Sequence, residues 1–186
     1  MSKIKVMIGL DLACNCSGYS ILDLSGKVLE AGAFQPIKYP LYTKDKYPVS
    51  TLKKARSMAD QLGEMIRDTM EKHDVQKIVV EEINPRGSIA AVKALSFVHG
   101  MLFWDFMAET KLFTMINCGQ WRSKAGVGVV IRRKKGKNDK TNEYKRPIVD
   151  YINNRYGSDF ALDDHDIVEA IAIVLGYMFI NKLLDK

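Results

Sequence analysis

Ile4-Lys5-Val6-Met7-Ile8-Gly9-Leu10-Asp11 is followed by Leu12-Ala13-Cys14-Asn15-Cys16-Ser17-Gly18-Tyr19. A short run this apolar is the pattern of a strand covered on both faces, so it belongs in the middle of a sheet. Asp11 falls at the carboxyl end of that strand, beside a glycine-containing turn. A carboxylate delivered there has two chemical uses, holding a metal ion or facing a phosphate, against the plainer alternative of a loop aspartate.

Working outward, Tyr19 to Leu24 and Val28 to Phe34 read as two more strands, joined by the hairpin turn Ser25-Gly26-Lys27. Strands one to three then form an antiparallel meander. Pro36, Pro40 and Pro48 mark a loop over 35–50. From about Thr51 to His73 the apolar residues Leu52, Ala55, Ala59, Leu62, Ile66 and Met70 recur at the three-and-four spacing of an amphipathic helix. Lys77-Ile78-Val79-Val80 is a fourth strand running into Glu81, and Ser88 is placed to cap a helix that continues to about Glu109. Leu112 to Ile116 gives a fifth strand, with a helical turn over 119–125. Two helices close the chain, from Pro147 to Tyr156 and from Asp164 to Leu184. The succession predicts an α/β fold, a five-stranded mixed sheet flanked by helices, as one domain over 1–186.

The net charge is +6, and its distribution says more than its size. Residues 131–146, IRRKKGKNDKTNEYKR, hold eight Lys or Arg and two acids, so the whole surplus lies in that stretch and the rest of the chain is balanced. A neutral body with a basic arm suggests a polyanionic partner, nucleic acid above all, with a solvated surface loop as the alternative. Cys14, Cys16 and Cys118 are few and odd in number, which argues for a reducing compartment; a zinc site built on them is disfavoured by the one-residue spacing. No apolar run is long enough to span a bilayer, so no membrane and a cytoplasmic location are expected.

Acidic residues sit where elements end. Asp11 ends strand one and Glu81 ends strand four. Asp163, Asp164, Asp166 and Glu169 gather at the start of the last helix. Asp166 and Glu169 are three apart, which puts their Cβ atoms about 5–6 Å from each other on one helical face. Capping of the helix dipole accounts for Asp163 or Asp164 but not for Glu169, which lies further in among apolar neighbours. Brought together, Asp11, Glu81, Asp166 and Glu169 would need divalent cations to offset their repulsion. Oxygen-only ligands suit Mg²⁺ or Mn²⁺, and two such ions suit phosphodiester cleavage.

Gly9-Leu10-Asp11 with Ser17-Gly18-Tyr19-Ser20 resembles the first motif of RuvC-type Holliday junction resolvases. Val79-Val80-Glu81 is similar to their second, and Asp166-Ile167-Val168-Glu169-Ala170-Ile171-Ala172-Ile173 to their final Asp-x-x-Asp-Ala helix. The resemblance, closest to a bacteriophage-encoded member, implies a ribonuclease-H-like fold. It implies an endodeoxyribonuclease of DNA recombination and repair that nicks branched DNA and resolves four-way junctions, leaving 5′-phosphates. It further implies Asp11, Glu81, Asp166 and Glu169 as catalytic metal ligands for two Mg²⁺ or Mn²⁺, with Asp163 and His165 as alternates. A homodimer meeting through the Ser88–Glu109 helix and, for a phage enzyme, the host cytoplasm follow from the same likeness. Lys124 and Lys145 match the positions of a basic residue that approaches the scissile phosphate. With Arg132, Arg133, Lys134, Lys135, Lys137, Lys140 and Arg146 they are the expected DNA contacts.

This sequence departs from the pattern in having Leu12-Ala13 after the first acid, Glu169 as the last, and Asn84 where an aromatic wedge would stand. Three alternatives stay open: a branched-DNA-binding protein with weak or no cleavage, a nuclease of the same fold acting on forks or RNA, and an actin-like phosphotransferase.

Overall fold

The computed structural model describes residues 3–37, 45–84, 88–124 and 145–184. The chain forms β1 (Lys5–Asp11), β2 (Ser17–Asp23), β3 (Val28–Phe34), α1 (Val49–Lys72), β4 (Asp74–Glu81) and α2 (Ile89–Asp105). There follow a 3₁₀ segment Met107–Leu112, β5 (Phe113–Ile116), α3 (Cys118–Lys124), α4 (Arg146–Tyr156), a 3₁₀ turn Leu162–Asp164 and α5 (His165–Ile180). The sheet order is β3-β2-β1-β4-β5. β1 to β3 are the antiparallel meander, and β4 and β5 run parallel to β1. The expected five-stranded mixed sheet with flanking helices is the architecture found.

The period of two along the central strands sorts their side chains into two cores. Val6, Ile8 and Leu10 of β1, with Ile78 and Val80 of β4, pack under α1 and α2 together with Met58, Leu62 and Leu102. Met7 and Val79 point the other way, into the layer made by α3, α4 and α5 with Trp121, Ile152 and Ile171. By the same alternation Asp11 follows Met7 and Gly9, and Glu81 follows Val79, so both acids belong to the α5 side. The parallel register pairs Gly9 with Val79 and Leu10 with Val80, which makes Asp11 and Glu81 the next step.

Two glycines set how closely α5 can lie on that face. A Cβ at Gly9 would overlap the Ala170 carbonyl oxygen, and one at Gly18 would overlap that of Asp166. Ser20 adds a buried hydrogen bond from Oγ to the Ala170 carbonyl, 2.9 Å. The absence of side chains at 9 and 18 therefore lets the first turns of α5 settle onto β1 and β2.

Some boundaries differ from those the sequence predicts. α2 stops at Asp105, because Phe106 leaves helical geometry (φ −122°, ψ 34°), and the chain continues as 3₁₀ rather than as helix to Glu109. The apolar pattern runs on through Phe106 and Met107, which hides the break. α5 ends at Ile180 instead of Leu184, and β4 starts at Asp74, three residues before its apolar run. Ser88 caps α2 as expected, its Oγ accepting from the Ala91 N–H at 3.2 Å. Phe106 is in the core whereas Trp104 is 74% exposed. The stretch 125–144, with Arg132, Arg133, Lys134, Lys135, Lys137 and Lys140, lies outside the described residues. Among the described residues no helix is long and apolar enough to cross a membrane.

Candidate active site

β1 delivers Asp11 at the carboxyl edge of the sheet, and α5, seated by Gly9 and Gly18, lowers Asp166 and Glu169 onto it. One carboxylate oxygen from each of Asp11, Asp166 and Glu169 lies within 4.8 Å of the others. Glu81 stands just outside this trio on the neighbouring strand, close enough for its charge to act on Asp11. Four of the residues expected to be metal ligands thus share one corner of the molecule. Asp163 does not join them: it is exposed in the 3₁₀ turn before α5. His165 takes a supporting position, with Nε2 3.1 Å from Asp166 Oδ1 and Nδ1 3.0 Å from the Leu162 carbonyl.

The electrostatics follow from packing like charges in a poorly solvated place. Burial, then the neighbouring charges of Glu169 and Glu81, push the Asp11 carboxyl well above its ordinary range, while Lys145 pulls it back. Burial and Glu169 raise Glu81 as well; Arg122 and the Trp121 indole N–H, which donates to Glu81 Oε2 at 3.0 Å, oppose that rise. Glu169, 4% exposed, is held by two cations. Arg122 Nη2 donates to its Oε1 at 2.6 Å and Lys145 Nζ to its Oε2 at 2.6 Å. Lys145 also lies 3.8 Å from Asp166 Oδ1. Such charge-assisted contacts fix the position of the carboxylate as well as neutralising it.

Arg122 is a residue the sequence reading missed. Lys124, put forward for this region, is exposed in the last turn of α3, and Arg122 is the α3 side chain that reaches Glu169. Two residues apart on a helix point about 200° from each other, and the full burial of Trp121 decides which side of α3 faces α5. Two thiols also border the acids. Cys16 is hydrogen-bonded to Asp166 and Cys118 to Glu81; burial first and these carboxylates second raise each thiol to about 12, so both stay protonated. Cys14 is turned away, its Sγ donating to the Ala94 carbonyl at 3.1 Å. Among the described residues the cysteines and histidines form no ligand cluster of their own.

The donor set is all carboxylate oxygen, partly buried and mutually repulsive, which is the composition a hard divalent cation needs. Trp121 and Glu169 are buried while Asp11 and Asp166 are half-buried at the carboxyl ends of the strands, so the acids are reached from that end of the sheet.

No protein-family profile matches this chain, and no curated protein does. Solved structures do. The chain is similar to Thermus thermophilus RuvC in complex with a Holliday junction substrate, with TM-score 0.65 at 12% identity over 96% of each chain. It is similar to another Thermus thermophilus RuvC structure, with TM-score 0.65 at 13% identity, again over 96% of both. The yeast mitochondrial Holliday junction resolvase superposes with TM-score 0.57 at 14% identity, over 98% of this chain and 81% of that one. The shared fold is ribonuclease-H-like.

Proposed function

We propose that this chain is a divalent-metal-dependent endodeoxyribonuclease that binds branched DNA and nicks it, resolving four-way junctions. The observation that carries this reading is the meeting of Asp11, Asp166 and Glu169 within 4.8 Å at the carboxyl end of the central strand. The likeness of fold to a RuvC solved on a Holliday junction supports it.

Asp11, Glu81, Asp166 and Glu169 would hold the metal, Mg²⁺ or Mn²⁺ and two per site. The ions would supply an activated water for in-line attack and charge to steady the leaving oxygen, giving a 5′-phosphate and a 3′-hydroxyl. The chain's own groups do the rest. Trp121 orients Glu81, His165 orients Asp166, and Arg122 with Lys145 keeps Glu169 in place. The same two cations set positive charge beside the point where charge grows on the phosphodiester. Lys124, Arg146 and the basic stretch, Arg132, Arg133, Lys134, Lys135, Lys137 and Lys140, would track the DNA backbone.

Two symmetric nicks need two sites, which a twofold homodimer supplies. α2 is the face for it, with Ile89 75% exposed and Trp104 74%. The cytoplasm, or the host's cytoplasm for a phage-encoded chain, is the compartment that goes with this reading.

The test is a labelled synthetic four-way junction with Mg²⁺ or Mn²⁺, cut by the native protein or Asp11→Asn. Duplex and forked DNA run alongside, and binding is assayed in EDTA. Paired metal-dependent nicks, lost in Asp11→Asn while binding persists, are expected. Equal cutting of forks would widen the substrate to branched DNA at large. Binding without nicks under either metal would overturn the enzyme.

A further inference from the structure

β3 is an edge strand, and its outer edge lacks the proline and lysine that commonly blunt such edges. A bulge at Leu29 interrupts its register with β2; beyond it Glu30–Phe34 run regularly, about 17 Å of strand. Among the described residues, no backbone hydrogen bond joins β3 to any element but β2. Beside this edge, a cleft of about 440 Å³ separates the inner face of β2 and β3 from the second half of α1. Tyr19, Phe34 and Met65 supply apolar walls. Glu30, Glu64 and Asp68, all exposed, set three carboxylates against the single ammonium of Lys72.

We propose that β3 and this cleft dock an extended, arginine-bearing segment of a partner protein. The segment adds to the sheet as a strand beside β3 and lays one guanidinium among Glu30, Glu64 and Asp68. The cleft is on the α1 face of the sheet, whereas Asp11, Asp166 and Glu169 gather on the α5 face. Docking therefore does not depend on whether the chain cuts DNA, and it leaves the acidic corner free.

Strand addition follows from the backbone. An open edge offers a row of N–H and C=O groups in the register of an extended chain, and Ala31, Gly32 and Ala33 put little bulk in its way. A Cβ at Gly32 would meet the Tyr19 ring at 2.8 Å, so the bare position lets that ring lie against β3. The ring stacks on Phe34 with centroids 5.0 Å apart, and its hydroxyl donates to Glu30 Oε1 at 2.9 Å, which holds this carboxylate beside the edge. Alternate residues of an added strand project over the cleft. Charge then selects the occupant. Glu64 and Asp68 stand four apart on α1, a like-charge spacing that costs stability, and among the described residues neither has an ion pair or hydrogen bond. Such a lining repels a phosphate backbone, and a second copy of this chain would bring an identically charged cleft. A cation carried by a partner offsets the repulsion. Arginine fits better than lysine, because its planar guanidinium stacks on an aromatic face and forks toward two carboxylates at once. At the end of the cleft nearest the α1 carboxyl terminus, His73 Nδ1 is buried without a hydrogen-bond partner. A neutral imidazole can accept there, and a donor brought by the occupant would complete it.

The test selects phage-displayed heptapeptides, with arginine or glutamate fixed at the centre and random flanks, on the native full chain. The chain carrying Glu64→Gln and Asp68→Asn, shape-preserving changes at exposed positions, serves for counter-selection. Central-arginine peptides with β-branched residues at alternate positions are expected to be enriched. In fluorescence anisotropy, labelled copies should bind the substituted chain about tenfold more weakly and lose binding when alternate backbone nitrogens are methylated. Hydrogen exchange over residues 28–34 should slow when the unmodified peptide is added to the native chain. Four-way junction binding should be the same for both chains. Failure to enrich arginine over glutamate overturns the proposal, as does equal binding to a substituted chain that melts normally. Peptides indifferent to backbone methylation overturn the strand addition. Protection of residues 28–34 that needs no peptide and grows with protein concentration would put a second copy of this chain in the partner's place and overturn the proposal as well.

Discussion

Asp11 carries a cost that can be measured without substrate. Its folded carboxyl titrates above the ordinary value of 3.8, so ionising it disfavours the folded state. That penalty is absent below the ordinary value and grows as pH rises through the folded one. In EDTA, Asp11→Asn should therefore melt above the native protein at neutral pH, with the gap closing toward about pH 4. Mg²⁺ should raise the native Tm and leave the variant's unchanged; thermal scans across pH with and without metal check both. Arg122→Ala should do the opposite, removing one of two cations from a buried Glu169 and costing about 1.5–3 kcal/mol, measured by urea unfolding at constant m-value. At this scale the acids were legible and their partners were not. Asp11, Glu81 and Asp166 are visible because each stands at the end of an element, and Glu169 because it interrupts an apolar helix one turn in. Arg122 and the Trp121 indole look like ordinary members of a short helix, and it is the packing of α3 on α5, remote in sequence, that turns them toward the acids.

The elements were read most surely where a local rule governs them. β1 shows itself by its apolar run, the β2–β3 hairpin by its turn, and α2's start by Ser88. What escaped is governed by tertiary contact: the change from α2 to 3₁₀ at Phe106, where hydrophobicity continues but helical geometry does not, and the end of α5 at Ile180. The placement of α5 is equally non-local, since Gly18 reads as a turn glycine until the Asp166 carbonyl is found against it. Gly18→Ala should force α5 off the sheet. We expect about 1–3 kcal/mol of destabilisation and, in the fraction still folded at low temperature, loss of the Mg²⁺-dependent rise in Tm. A variant that keeps that rise would show that α5 has room to move without disturbing the acids.

For the molecule as a whole, charge and exposed apolar surface make separate predictions. Replacing the six basic residues between Arg132 and Lys140 by Ser should flatten the plot of log Kd against log salt for junction binding, by up to about 0.9 for each phosphate no longer neutralised, and leave Mg²⁺ binding intact. Trp104→Glu should convert a dimer to a monomer in sedimentation velocity, and paired nicks on one junction should become single ones. The overall α/β order was legible because strands and helices alternate with distinct periods, whereas the proposed subunit pairing has no periodic signature: the family resemblance suggested it, and the exposure of Ile89 and Trp104 on α2 supports it. The site itself joins residue 11 to residues 166 and 169, with nearly all of the chain between them. A polypeptide emerging from the ribosome therefore carries an unfinished centre until α5 has cleared the exit tunnel, and a nascent or prematurely terminated chain holds the first acid without the last two. Synthesis order alone therefore makes the acidic centre one of the last parts of the fold to be completed.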